Sequence, residues 1–222
     1  MDDKENNQEN SNEDIKDVTF EQNFLKDMTR AMLPAYLQHL VSFAEDRADI
    51  DNAIDKQKTV EEFDEFIREG KRDEEQAWRS ISNVQSPNSV IFYIFNATAK
   101  TFSLTTSSWD NGIHPKEKYD LEPWDYLSFI LRSEPPRRRA GKIPASQVNH
   151  HFSYESGKLA FQFSTSLSIR GEHQGFSFSP KDIPHIEHTV RSIGREKLKC
   201  TSSITRTMPK KPYSYSVVIK LG

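Results

Sequence analysis

Few residues in this chain have the type and spacing that bond-making chemistry needs, and the histidines come first. His185-Ile-Glu-His188 sets two imidazoles three positions apart, which on a helix puts both on one face where a metal could sit. No HExxH, no third ligand of evident spacing and no cysteine cluster accompanies them, so a polar helix face is the expectation. His150 and His151 are adjacent and in a strand would point to opposite sides. Serine is abundant, yet no G-x-S-x-G elbow and no Gly-rich phosphate loop occurs. Cys200 has Lys197 and Lys199 beside it, charges that would lower a thiol pKa, but a lone thiol without a base is a weak nucleophile candidate. The expectation is a non-enzymatic protein with no cofactor and no metal.

Binding is better served. Arg137, Arg138, Arg139 and Lys142 follow Pro135-Pro136 and flank Gly141, a composition that makes an exposed basic loop open to an anionic partner. Upstream, Trp109, Tyr119, Trp124 and Tyr126 stand among turn residues Asn111-Gly112, Pro115 and Pro123. Amphipathic aromatics of this kind either pack inward as corners of a sheet or face a ligand or bilayer headgroups. Asn96-Ala-Thr98 is a formal glycosylation sequon that fits a strand-ending turn better.

The elements that must position these residues change character along the chain. Of 222 residues, 35% are apolar and 28% charged, too little apolar matter for one core throughout. A single cysteine excludes an internal disulfide framework and any multi-cysteine zinc module. Residues 1–86 hold 22 acidic and 11 basic residues, a net of −11; residues 87–222 hold 11 and 19, a net of +8. Ten of the eleven prolines lie at or after Pro87, so the boundary is drawn near Asn83 to Asn88.

Three regions follow. Residues 1–17 are acidic and asparagine-rich, with the composition of a disordered tail and no resemblance to a signal peptide. Residues 18–86 form an acidic amphipathic helical region. Thr19–Gln22 has capping-box spacing ahead of Phe20, Phe24, Met28 and Met32, and Pro34 kinks or divides that helix. Thr59–Glu62 opens another helix that stops at Gly70, and a weaker helical stretch covers 73–81. Residues 87–222 turn to period two: Ser89 to Asn96, Leu159 to Ile169 and Tyr213 to Leu221 alternate or run apolar, with Ser156-Gly157 as a hairpin turn. Further strands are expected at 100–107, 125–132, 147–155, 174–179 and 201–207. Ile183, Ile186, Val190 and Ile193 have helical spacing and predict one helical interruption. Each strand should set one face on a core and the other in water, giving an antiparallel β-sandwich, mainly β with an α+β balance overall.

The order of these features resembles a family. An opening strand ends in an Asn-containing turn (Ile91 to Asn96, Ala97-Thr98), and a second strand carries Phe102 and Leu104. Then come Trp109, Gly112, Pro115, Pro123-Trp124, a strand with Leu127, Phe129 and Leu131, and the hairpin F-x-Y-x-x-G-x-L-x-F-x-F from Phe152 to Phe163. This pattern resembles the small β-sandwich cytolysins, the aegerolysins and actinoporin-like proteins, over Ser89 to Ile169 and the last strand, about half the chain. The resemblance implies a compact sandwich that recognises particular lipids and in some members assembles into pores.

The expected function is therefore binding to a lipid or membrane surface. Trp109, Tyr119, Trp124 and Tyr126 would make interfacial contacts, Arg137, Arg138, Arg139 and Lys142 would add attraction, and the acidic helices would mask that surface. The alternative is a protein-interaction or self-assembling scaffold module working through residues 18–86, as a homo-oligomer or with a protein partner. Nucleic acid is disfavoured, because the charge density is modest and no recognised motif is present. A cytoplasmic location is expected, with unconventional secretion as an open route, since neither a leader nor an 18-residue apolar run is seen.

Overall fold

A computed structural model of the chain describes residues 33–51, 56–81, 87–109, 116–139, 144–172 and 180–222. Two helices, α1 (Ala35–Asp51) and α2 (Lys56–Ile81), precede eight strands. These are β1 (Asn88–Asn96), β2 (Ser103–Ser107), β3 (Tyr126–Ser133), β4 (Val148–Ser156), β5 (Leu159–Glu172), β6 (Lys181–Ser192), β7 (Cys200–Thr207) and β8 (Tyr215–Leu221). They form two four-stranded sheets, ordered β3-β1-β8-β7 and β2-β4-β5-β6. Every pairing is antiparallel except the central β1–β8 pair. The expected mainly-β sandwich with a helical region before it is the fold. Among the described residues, no helix is long and apolar enough to cross a membrane.

The core lies between the sheets. Phe92 from β1 stacks on Phe129 at 5.2 Å and meets Phe152 and Phe163 of the other sheet edge-on at 5.4 and 5.6 Å. Such aromatic pairs add about 0.5–1.5 kcal/mol each beyond the area they bury. Strand β5 follows the predicted pattern, with Phe161, Phe163, Thr165 and Leu167 buried and Gln162 and Ser164 exposed.

Strand β1 departs from it, being buried at all nine positions. Val90, Phe92 and Ile94 face the second sheet, while Ile91, Tyr93 and Phe95 belong to a separate cluster with Tyr36, Leu40, Phe43 and Trp78 of the helices. A central strand with two covered faces reads as a continuous apolar run, which is what Ser89 to Asn96 is. The helices are thus a third layer, α on β on β.

Other expectations are corrected by the same packing. Residues 181–192 are strand, not helix, and Pro184 sits on an edge strand, where a missing N–H breaks no ladder. The helical spacing of Ile183, Ile186 and Val190 misled because a 12-residue strand also samples those positions: Ile186 and Val190 face the core. Gly70 does not end a helix. A Cβ there would lie 2.5 Å from Leu40 Cδ2, so the glycine lets α2 pass close over α1. Thr59 lies within α2 rather than capping its start, and α1 begins just after Pro34, whose carbonyl accepts from the Gln38 N–H. The hairpin turn is Gly157-Lys158, one residue later than expected, with Gly157 at φ 60°. The tail at 1–17, the helix face at Phe20 to Met32, the linker at 83–86 and the strand at 174–179 lie outside the described residues.

One polar row crosses the interior. His150, Thr165 and His188 are register neighbours on β4, β5 and β6. Thr165 donates to the Glu187 carbonyl at 2.9 Å and so accepts from the Tyr215 hydroxyl, also at 2.9 Å. His188 Nδ1 meets Ser202 Oγ at 2.9 Å. His150 Nε2, however, is buried with no hydrogen-bond partner among the described residues, and burial, aided by His151, lowers its pKa to about 4.

Two outcomes follow from this packing. Gly70→Ala gains about 1 kcal/mol of helix propensity but overpacks a buried contact at about 1–3 kcal/mol, so thermal melts should show a net loss. For His150, the unfolded ring takes a proton near pH 6.5 and the folded ring only near 4. Stability is then full above about pH 6.5 and falls by up to about 1.4 kcal/mol per pH unit down to 4. Denaturant titrations of His150→Leu should lose most of that acid slope, and an unchanged slope would refute the assignment.

Candidate functional site

The residues nominated from sequence do not converge. Trp109 and Tyr119 pack inward, with centroids 5.7 Å apart, against Phe129 and Phe152 at one end of the sandwich core. Trp124 is half-buried at the turn before β3, at φ 56°. Tyr126 opens β3 on the opposite, helix-covered face, between Phe95 and Phe66 at 5.5 Å each. Arg137 and Arg139 are exposed, Arg137 lying 3.6 Å from Glu134. Arg138 is a tether, its Nε 3.1 Å from Asp182 on β6, and its side chain crosses Gly171, where a Cβ would stand 2.8 Å from the guanidinium. Lys142 lies outside the described residues.

Neither set of reactive groups assembles. His185 and His188 sit on a strand, so spacing three sends them to opposite faces: His185 to Glu187 at 3.0 Å, His188 inward to Ser202. Burial raises the Cys200 thiol pKa, where the neighbouring lysines suggested a lowered one. Asn96 is a staple. Its amide donates to the carbonyls of Lys100, Leu121 and Glu122 at 2.7, 3.2 and 2.8 Å, and Thr98 donates to its Oδ1 at 2.7 Å. Asn88, expected in a linker, is buried and pins β1 to the Pro212 and Tyr213 carbonyls at 3.0 Å.

What the tertiary structure does bring together lies between α2 and the first sheet. Tyr36 and Tyr93 rings are 4.3 Å apart and fully buried, and neither hydroxyl has a partner among the described residues. Tyr126 donates to Asp73 at 3.0 Å. Desolvation, then the neighbouring phenols and carboxylates, raises the pKa of Tyr36 and, by the same burial, that of Tyr93. Glu74 follows Asp73 on α2 with only 12% of its side chain exposed, 3.6 Å from Arg206 of β7. Burial raises the Glu74 pKa, and Arg206 opposes that rise. The Arg206 guanidinium also lies 4.4 Å over the Trp78 ring, a cation–π contact.

Arg206 reaches this place through a bulge. Ser202 and Ile204 face the second sheet, and plain alternation would send residue 206 inward after them. The register slips between Ile204 and Arg206, which turns Arg206 to the helix side. Beside it opens a cleft of about 610 Å³, lined by Glu75, Trp78 and Arg79 of α2, Arg206 and Thr207 of β7, and Met208, Pro209 and Lys210 beyond it. No sequence signal marked it, because its walls come from segments over a hundred residues apart. No protein-family model and no curated protein matches the chain.

Arg206 offsets a buried carboxylate, so Arg206→Gln should cost about 1–3 kcal/mol at neutral pH. Glu74 has a raised folded pKa; its charged form is the penalised one, and the loss should shrink as acid protonates it. Denaturant midpoints across pH check this, and a loss that grows toward acid would contradict it.

Proposed function

We propose that the protein is a non-enzymatic binding protein that acts at a lipid or membrane surface, its helical layer masking part of the contact face. The observation that carries this reading is the sheet face beneath the helices. Ile91, Tyr93, Phe95 and Val218 form an aromatic, apolar patch on β1 and β8, Tyr126 packs beside it, and α1 and α2 cover it. Exposing three such side chains to water costs about 1.5–3 kcal/mol each, comparable in sum with the stability of a whole domain. Uncovering therefore needs a second apolar phase to receive them, and a bilayer interface is one. The seam between helices and sheet is partly polar: the Tyr36 and Tyr93 hydroxyls have no partner among the described residues, and the carboxylates of Asp73 and Glu74 lie there.

Electrostatic attraction in this reading comes from the exposed Arg137 and Arg139, each worth roughly 1 kcal/mol beside an anionic bilayer. Trp109 and Tyr119, packed on Phe129 and Phe152, would serve as core supports rather than as anchors. The alternative scaffold reading has less to work with, because Tyr36, Leu37, Leu40, Phe43, Trp78 and Ile81 spend the described apolar helix faces on the sheet.

Flotation with anionic vesicles tests the masking. Phe66→Ala, which removes a ring seated on Phe43 and Tyr126, should loosen α2 and raise bound protein several-fold. Arg137→Gln with Arg139→Gln should lower partitioning roughly 30-fold at low salt, from about 2 kcal/mol, and high salt should erase the difference. Equal binding by all three proteins would remove the proposal.

A further inference from the structure

The cleft beside Arg206 has a composition that the membrane reading does not use. Three cationic residues, Arg79, Arg206 and Lys210, line it from α2, β7 and the β7–β8 connection. Against them stand Glu75, 3.7 Å from Arg79, and Glu74, which holds Arg206 from beneath. Trp78, Met208 and Pro209 provide an apolar wall. The volume, about 610 Å³, falls in the range of small-molecule sites.

Each part is held in place. The bulge aims Arg206 outward, Trp78 stacks against its guanidinium at 4.4 Å, and Glu74 fixes its other side while leaving Arg206 54% exposed. The guanidinium is therefore pre-oriented with donors still facing solvent, the state that favours recognition of an oxyanion. Lys210 is presented by a connection closed on itself: the Met208 N–H bonds the Ser214 carbonyl at 2.8 Å, and the Tyr213 N–H bonds the Lys210 carbonyl at 2.9 Å.

We propose that this cleft binds a phosphoryl group carried on a small apolar or aromatic moiety. Arg206 and Lys210 contact the phosphoryl oxygens, Arg79 adds positive charge at the rim, and the organic part lies along Met208 and Pro209 beside Trp78. A carboxylate offers only two oxygens, whereas two guanidinium groups and an ammonium, which outnumber the carboxylates of Glu74 and Glu75, match the three acceptor oxygens of a phosphoryl group. The same chemistry is offered by a soluble phosphate ester or by a phospholipid headgroup. The inference stands on the cleft alone and does not rest on the masked sheet face.

The test uses the full-length chain and phenyl phosphate, followed by calorimetry and tryptophan fluorescence, with benzoate as the carboxylate comparison. Saturable binding of phenyl phosphate that is tighter than that of benzoate is expected. Arg79→Gln with Lys210→Gln, which leaves the Glu74–Arg206–Trp78 contacts intact, should weaken it roughly tenfold or more while melting like the parent. A second arm uses phosphatidylcholine vesicles with and without phosphatidic acid. Phosphatidate-dependent binding lost in the double variant, without phenyl phosphate binding, assigns the headgroup; soluble binding alone assigns the ester. Absence of saturable binding in both arms, equal binding of benzoate, or binding that the double variant leaves unchanged overturns the proposal. Vesicle binding sensitive to Arg137→Gln and Arg139→Gln but not to the cleft pair would overturn it while leaving the membrane reading in place.

Discussion

A strand that is apolar on both faces cannot meet water on either, and β1 is such a strand. With its parallel neighbour β8 it runs through the middle of the first sheet, buried nearly throughout. The second sheet covers one side and the helices the other. Each covering surface must supply apolar matter at the matching positions: Phe152 and Phe163 against Phe92, Tyr36 and Phe43 against Tyr93 and Phe95. The three-layer architecture follows from that one requirement.

The two covers differ in quality. Between the sheets, aromatic side chains interlock; Thr165 pairs with Tyr215 and His188 with Ser202, while the Trp109 indole N–H, His150 Nε2 and the Tyr154 hydroxyl have no partner among the described residues. Between helices and sheet, apolar contact is interleaved with phenols and carboxylates, and the Tyr36 and Tyr93 hydroxyls have no partner among the described residues. Unpaired buried polar groups cost about 1–3 kcal/mol each. Such groups occur in both layers, and the helical layer is further held at its edges by His39 to Ser203 and by Lys220 to Ser42 and Asp46.

The charge division acquires a geometric meaning in this arrangement. The acidic helices bring Asp46, Asp73 and Glu74 to the sheet, where Lys220, the Tyr126 hydroxyl and Arg206 receive them. Part of the −11 and +8 asymmetry is therefore spent internally, docking one layer on the other. Among the charges that remain outward are Arg137 and Arg139 in their loop and Arg79 and Lys210 at the cleft.

Local pattern in the sequence determined the strand positions of β1, β2, β3, β4, β5, β7 and β8, the sandwich class and the existence of helices needing a surface, because side-chain period is a property of neighbouring residues. It misread 181–192, where a strand carries apolar residues at helical intervals, and Gly70, where a close helix crossing resembles a stop. It nominated Trp109, Tyr119 and Tyr126 as one surface, although adjacency in sequence does not say which side of a sheet a residue joins. Only the tertiary structure decided that Tyr126 lies under a helix while Trp109 lies in the core. The same is true of the register slip that carries Arg206 to Trp78 and Glu74, since long-range pairing, which no local period encodes, sets register.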